Sequence, residues 1–158
     1  MHAIYGAGLI SRTGIAQCSN SCGGQWDSFS CSVNKTDTVS LFDCNGKDAL
    51  LNTLTVYIHC TSAANWGGGG SQISVTVKTD TGATLVSKSI SHHVDTYNLT
   101  GNSFSQTYNM FGYNLSNVSY LIVTISGYAS GYCSGNQDCR YYGQVDGYAT
   151  ANYLNVSN

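Results

Sequence analysis

With 158 residues, of which 42% are hydrophobic, the chain is long enough to fold as one domain with a substantial core. Lys, Arg, Asp and Glu make up only 9% of the residues, against about 25% in an ordinary soluble domain. The formal net charge is −2, and the six scattered basic residues argue against a nucleic-acid partner, which needs clustered Lys and Arg. No run of residues approaches the ~20 apolar positions of a membrane-spanning helix.

The first 16 residues contain no cysteine and form a separate, mildly apolar stretch. Two interpretations are open: an N-terminal edge strand of the same domain, or an arm that adds a strand to a neighbouring subunit. We therefore divide the chain into residues 1–16, the N-terminal strand or arm, and residues 17–158, the main domain.

Alternating and β-branched segments predict strands along most of the chain. Residues 53–61 alternate apolar and polar side chains, which is typical of a half-buried strand. Residues 73–77 and 84–90 flank the turn sequence Asp-Thr-Gly at 80–82, which predicts a hairpin. Residues 118–126 are almost continuously apolar, as in a central strand covered on both faces. Residues 148–156 are expected to form a closing strand, and weaker strands are expected over residues 39–44, 93–99 and 103–113.

No helical stripe interrupts these strands, and Glu, a common helix former, is absent. The pattern predicts an all-β fold: a single disulfide-stapled β-sandwich, jelly-roll-like, with about eight to ten antiparallel strands. Three Gly- and Ser-rich segments are predicted to be irregular. They are residues 18–31, expected to be a stapled loop, residues 66–71 (WGGGGS), expected to be a long flexible loop, and residues 127–139.

Seven cysteines without a C-x-x-C pair indicate a disulfide framework and an extracellular location. Because seven is odd, one sulfur is left over within the chain, and it is either buried and inert or bridges two chains. Cys60 continues the inward face of its strand, so it is either the unpaired thiol or one end of an inter-sheet disulfide. Cys133 and Cys139 are close enough in sequence to pair locally. The candidates are Cys18, Cys22, Cys31, Cys44, Cys60, Cys133 and Cys139.

Five N-x-[ST] sequons predict N-glycosylation, which agrees with a secreted protein. Each acceptor side chain has to reach solvent on a turn or at the edge of a strand. The acceptors are Asn34, Asn98, Asn114, Asn117 and Asn155.

Catalytic motifs are not apparent, so we expect no enzyme activity and no cofactor. The sequence has no G-x-S-x-G elbow, and none of its four histidines adjoins a recognisable nucleophile motif. The oxygen-bearing side chains of Asp43, Asn45 and Asp48 make a weak calcium candidate. This segment is too short for an EF-hand and lacks the bidentate Glu, so a type I turn explains it more simply.

Aromatic side chains are the best binding candidates. Tyr and Trp present an apolar face and a polar tip, which suits stacking on sugar rings and suits protein interfaces equally. The candidates for glycan stacking or an interface are Trp26, Trp66, Tyr128, Tyr132, Tyr141 and Tyr142.

The sequence favours a secreted, glycosylated structural protein that self-assembles into an extracellular fibre, coat or matrix. Burial of a Tyr-, Ser- and Thr-rich surface desolvates few charges, so a homo-oligomer or polymer is the expected assembly. The alternative is a carbohydrate-binding module or lectin that binds glycans through its loop Trp and Tyr residues.

Overall fold

The computed structural model describes residues 9–25, 28–40, 49–65, 67–94, 99–110, 118–133 and 140–155. Within these ranges the chain forms eight β-strands, most of them longer than the sequence pattern predicts. The strands are β1 (Leu9–Gln25), β2 (Phe29–Ser40), β3 (Ala49–Asn65), β4 (Gly67–Thr79), β5 (Thr84–Val94), β6 (Thr100–Asn109), β7 (Tyr120–Cys133) and β8 (Arg140–Asn155).

The strands form two antiparallel sheets that pack face to face. One sheet has the order β1-β8-β3-β6, and the other has the order β2-β7-β4-β5. β1 pairs with β8, β2 with β7, β3 with β6, and β4 with β5, as in one long hairpin rolled into a sandwich. This is the pairing of a jelly roll, and it confirms the predicted all-β sandwich.

Inward-facing apolar side chains of both sheets make the core. On β3 the predicted alternation is confirmed, with Leu54, Val56 and Ile58 fully buried and Tyr57 half-buried on the opposite face. Each fully buried side chain of this size contributes about 1.5–3 kcal/mol to folding. The facing sheet supplies Ile73, Val75, Val77, Leu121, Val123 and Ile125, all fully buried.

β7 lies inside its sheet, between β2 and β4, as predicted for a central strand. The prediction that both its faces are covered is wrong. Leu121 and Val123 are fully buried, whereas Ile122 and Thr124 on the other face are only half-buried. The reason is that the described part of the chain forms two layers, so the outer face of each sheet meets solvent.

The segments predicted to be loops are strands where the structure describes them, except for Ser28, which lies between β1 and β2. Residues 18–25 belong to β1, and residues 67–71 begin β4. The glycines of β4 extend as a strand because aromatic rings occupy the positions where side chains would otherwise lie. A Cβ atom on Gly68 would lie 2.8 Å from Cε1 of Tyr132, and one on Gly69 would lie 2.5 Å from Cε2 of Tyr141.

The hairpin predicted at residues 80–82 is confirmed and joins β4 to β5. Gly82 has φ = 99°, a left-handed conformation that glycine adopts without steric cost. Its N–H donates to the carbonyl of Thr79 at 3.0 Å, and the Thr79 hydroxyl accepts from the N–H of Ala83 at 3.0 Å.

β1 is an edge strand whose first residues pair within their own chain. Leu9 lies opposite Leu154 of β8, and the register shifts between Arg12 and Ala16. Residues 1–8 lie outside the described residues, so strand exchange through an N-terminal arm stays a prediction.

Two asparagines connect the sheets at opposite sides of the sandwich. Asn20 of β1 donates its Nδ2 to the carbonyl of Ser32 on β2 at 3.0 Å. Asn102 of β6 donates its Nδ2 to the carbonyl of Ser91 on β5 at 3.4 Å. In both, the side-chain Oδ1 accepts a bond from the next residue's N–H at 2.9 Å. These amides bind backbone groups that edge strands otherwise leave open.

Candidate functional site

A groove of about 500 Å³ runs across the outer face of the sheet that contains β7. We call it the tyrosine groove. Its floor is residues 68–72 of β4, and its sides are Tyr128 and Tyr132 of β7 and Ser91 and His93 of β5. β4 lies between β7 and β5, so its glycines leave a depression where neighbouring strands carry side chains.

Tyr128 and Tyr132 lie on the same face of β7 because their positions differ by four, and side chains alternate between the two faces of a strand. Their side chains are 51% and 58% exposed. The outer part of the Tyr132 ring lies against Gly68, and the Tyr128 hydroxyl donates to Oε1 of Gln72 at 3.4 Å. Both rings therefore lean toward β4, and about 13 Å of strand separates them.

Hydrogen-bonding groups line the rest of the tyrosine groove. Gln72, Ser91, Ser130 and His93 contribute amide, hydroxyl and imidazole groups. None of the described lining residues is Lys, Arg or Asp. The groove thus combines exposed aromatic surface with amide, hydroxyl and imidazole hydrogen-bonding groups.

The outer face of the opposite sheet is also almost free of charge. We define the β3–β6–β8 face as the outward side chains within residues 53–59 of β3, 103–109 of β6 and 144–152 of β8. Its side chains pair across the strands: the hydroxyls of Thr55 and Thr107 lie 2.9 Å apart, and the rings of Tyr57 and Tyr148 stack at 5.2 Å. Such cross-strand pairs hold the surface side chains in fixed positions.

Asp146 is the one Asp, Lys or Arg on the β3–β6–β8 face as defined, and His59 is its partner. His59 Nδ1 and Asp146 Oδ1 are 3.0 Å apart, and both side chains are about 30% exposed. Burial, followed by the charge of Asp146 and the nearby Tyr148, raises the pKa of Tyr57. The phenol of Tyr57 therefore stays neutral, which preserves the low charge of the face.

Tyr141 does not belong to either surface. Its side chain is 1% exposed, so it cannot stack on a glycan or contact a partner, and this corrects its prediction as a binding residue. The ring fills a space left by three glycines, because Cβ atoms on Gly69, Gly131 or Gly143 would overlap it. Tyr142 points to the opposite face and is half-buried.

Among the seven cysteines, two form a disulfide, one is a free thiol, and four have side chains outside the described part of the structure. Cys22 of β1 is bonded to Cys31 of β2, with Cα atoms 5.7 Å apart, so the bond joins the two sheets. Cys60 is a free, buried thiol, and burial raises its pKa. The side chains of the remaining four lie outside the described residues, and their pairing stays a prediction: Cys18, Cys44, Cys133 and Cys139.

Most other candidates from the sequence also lie outside what is described. Asn34 is the sequon asparagine whose side chain is described, and it is exposed on β2. Those outside are Trp26, Trp66, the calcium candidates Asp43, Asn45 and Asp48, and the side chains of Asn98, Asn114, Asn117 and Asn155. Among the described residues, no cluster of His, Cys, Asp or Glu has the size of a metal site. Nor does this part of the chain contain a helix of the length and apolarity that crossing a membrane requires.

Sequence reasoning missed Gln72, Ser91 and His93, and also the His59–Asp146 pair. His59 and Asp146 are 87 positions apart, so only the strand register brings them together. The groove residues were missed because the glycine run beside them is typical of a loop. The one local signal was the tyrosine spacing in β7, which places both rings on one face.

No protein-family model and no curated protein matches the chain. Solved structures do match, including infectious bursal disease virus Gx strain (9% identity, TM-score 0.38, 98% of this chain and 33% of that chain). Another is the VP2 subviral particle of that virus (8%, 0.33, 98% and 43%). A third is the enzymatically active domain of bacteriophage CBA120 tailspike protein 4 (10%, 0.26, 89% and 20%). The chain spans less than half the length of these proteins, and TM-scores this low carry no argument about function.

Proposed function

We propose that the protein is a structural subunit that assembles with copies of itself through the β3–β6–β8 face. The observation that carries this proposal is the low charge of that face, where the single carboxylate, Asp146, has its Oδ1 3.0 Å from Nδ1 of His59. Burying Thr, Ser, Tyr and Asn side chains against the same groups of a second copy desolvates few charges, since Asp146 is the one Asp, Lys or Arg on this face.

The face is also suited to self-association by its rigidity. The Thr55–Thr107 pair and the stacked Tyr57 and Tyr148 rings are held by neighbouring strands before any partner arrives. Less side-chain entropy is therefore lost on association than on a surface of long, mobile side chains. A two-fold axis would bring identical patches together, as in most homodimers.

Secretion and glycosylation form part of the same proposal. The Cys22–Cys31 disulfide supports an oxidising compartment, since such bonds are rare in the cytosol. The exposure of Asn34 supports modification of its sequon, because the acceptor side chain is open to solvent. A glycan at Asn34 would stand on the other sheet and leave the β3–β6–β8 face open.

Thr55→Lys tests the assembly, and Thr124→Lys is its matched control. Both threonines are half-buried on an inner strand and form a cross-strand threonine pair, but they lie on opposite sheets. We expect the wild type and Thr124→Lys to form oligomers in sedimentation velocity as concentration rises. Thr55→Lys, with an unpaired charge in the contact, is expected to remain monomeric.

Circular dichroism and thermal unfolding establish that both lysine variants are folded. A wild type that stays monomeric at millimolar concentration contradicts self-assembly. Equal association of wild type and Thr55→Lys contradicts the assigned face, because a buried, unpaired lysine weakens an interface severalfold or more.

A further inference from the structure

We propose that the tyrosine groove binds a neutral oligosaccharide. This function is separate from the proposed assembly, since the groove lies on the opposite sheet from the β3–β6–β8 face. Tyr128 and Tyr132 keep 51% and 58% of their side chains exposed although burial of a tyrosine is favourable. Exposed aromatic faces that are held in place suit stacking on the C–H faces of sugar rings.

The chemistry of the lining selects an uncharged ligand. Ser91, Ser130 and Gln72 offer neutral donors and acceptors, which match the hydroxyls of a sugar. No Lys or Arg is present among the described lining residues to pair with a sulfate, phosphate or carboxylate. An anionic saccharide would lose part of its hydration in the groove without gaining an ion pair to Lys or Arg.

The spacing of the two tyrosines indicates the ligand's length. Tyr132 lies against Gly68 and Tyr128 reaches Gln72, and these partners are four residues apart on β4. About 13 Å of strand therefore separates the two rings. A single sugar ring is too short to contact both, so the groove fits an oligosaccharide whose middle part lies over Gly70.

The saccharide that binds in the groove has two alternative sources, this protein's own glycan or another molecule. Asn34 lies on the outer face of the same sheet, two residues along β2 from Ser32, which is opposite Tyr128. A glycan on Asn34 would begin beside the groove and reach it from within the same molecule. The other source is a saccharide presented by a different molecule, and both have the same neutral chemistry.

The test is an array of neutral oligosaccharides of two to six residues, with sulfated counterparts, probed with the secreted protein and with its Asn34→Gln variant. We expect binding to neutral members and at least tenfold weaker binding to sulfated ones. If the Asn34 glycan occupies the groove, binding appears only with Asn34→Gln. If the source is another molecule, both proteins bind. Either result supports the proposal, and no neutral binding by either protein overturns it.

Single-residue variants locate the site. Tyr132→Ala is expected to weaken binding about tenfold or more, because one stacking surface is lost, and Tyr132→Phe is expected to preserve it. Tyr120→Ala is the matched control: it lies on the same face of β7, is 41% exposed, and stands about 27 Å along the strand from Tyr128. Equal losses in Tyr120→Ala and Tyr132→Ala, or none in Tyr132→Ala, overturn the assignment. Tyr132→Phe keeps the ring over Gly68, so it separates lost stacking from lost folding.

Discussion

Among the groups whose pKa burial raises, one tyrosine should make a large contribution to the stability of this fold at alkaline pH. Tyr141 is 1% exposed, and its hydroxyl contacts no hydrogen-bond partner among the described residues. Burial raises the pKa of Tyr141 from 10.0 to about 12, because the phenolate would be desolvated between the sheets. In the unfolded chain the same phenol loses its proton near pH 10.

The size and sign of the effect follow from that difference. Below pH 10 the phenol is protonated in both states, so the full stability contribution is present and does not vary with pH. Between pH 10 and 12 the unfolded chain releases a proton that the folded chain retains, and the free energy of unfolding falls. Tyr141 alone is expected to contribute a slope of about 1.4 kcal/mol per pH unit, or about 3 kcal/mol across the window.

Urea unfolding at pH 8, 10 and 11 measures this slope, and Tyr141→Phe isolates the contribution of the residue. Between pH 8 and pH 11, we expect the free energy of unfolding to fall by about 1 kcal/mol less in the Phe variant than in the wild type. Tyr120→Phe, which changes an exposed tyrosine, should behave as the wild type. An equally steep alkaline loss in Tyr141→Phe would refute the reasoning. So would a loss of stability by that variant at pH 8, which would show that the hydroxyl forms a bond.

Three further sets of substitutions test the packing, the disulfide and the edges by urea unfolding. Gly131→Ala should lower the free energy of unfolding by about 1–3 kcal/mol, because its Cβ would overlap the buried ring of Tyr141. Gly70→Ala is the control and should have little effect, because its Cβ would lie 3.4 and 3.6 Å from the nearest atoms. Similar losses in the two variants would contradict the packing. Cys31→Ser should cost about 2–3 kcal/mol, the value for a short disulfide loop, and added reductant should then have no further effect at this bond. Asn20→Ala and Asn102→Ala should each cost about 1 kcal/mol, and no loss would show that the bridges are not formed in solution.

The strands with regular alternation were predictable from the sequence. Leu54, Val56 and Ile58 alternate with polar residues, and only a strand places such a pattern on one face. The hairpin was also predictable, because Gly82 needs a left-handed conformation that few other residues adopt. In both cases the physical cause lies within a few neighbouring residues.

The tyrosine groove and the buried tyrosine were not predictable, because their causes lie in distant strands. The glycines at 67–70 are typical of a flexible linker, yet they form a strand under rings supplied by Tyr132 and Tyr141. Tyr141 and Tyr142 are adjacent, so no local pattern indicates which of the two points into the sandwich. That choice is made by the small residues at Gly69, Gly131 and Gly143, which leave room for only one ring.

The edge asparagines bind backbone groups at the edges of a sandwich that has few Lys side chains and no Pro. Soluble sheets usually protect their edges with Lys or Pro, but β6 contains neither along its ten residues. Asn102 there binds a carbonyl of β5, and Asn20 does the same between β1 and β2. A strand added at either edge would have to displace such a bridge, whereas a second copy on the β3–β6–β8 face displaces none. The low charge of the chain leaves few Lys side chains to protect its edges. It also makes the β3–β6–β8 face suitable for contact with a second copy. Association in this protein is therefore expected between sheet faces rather than by strand addition.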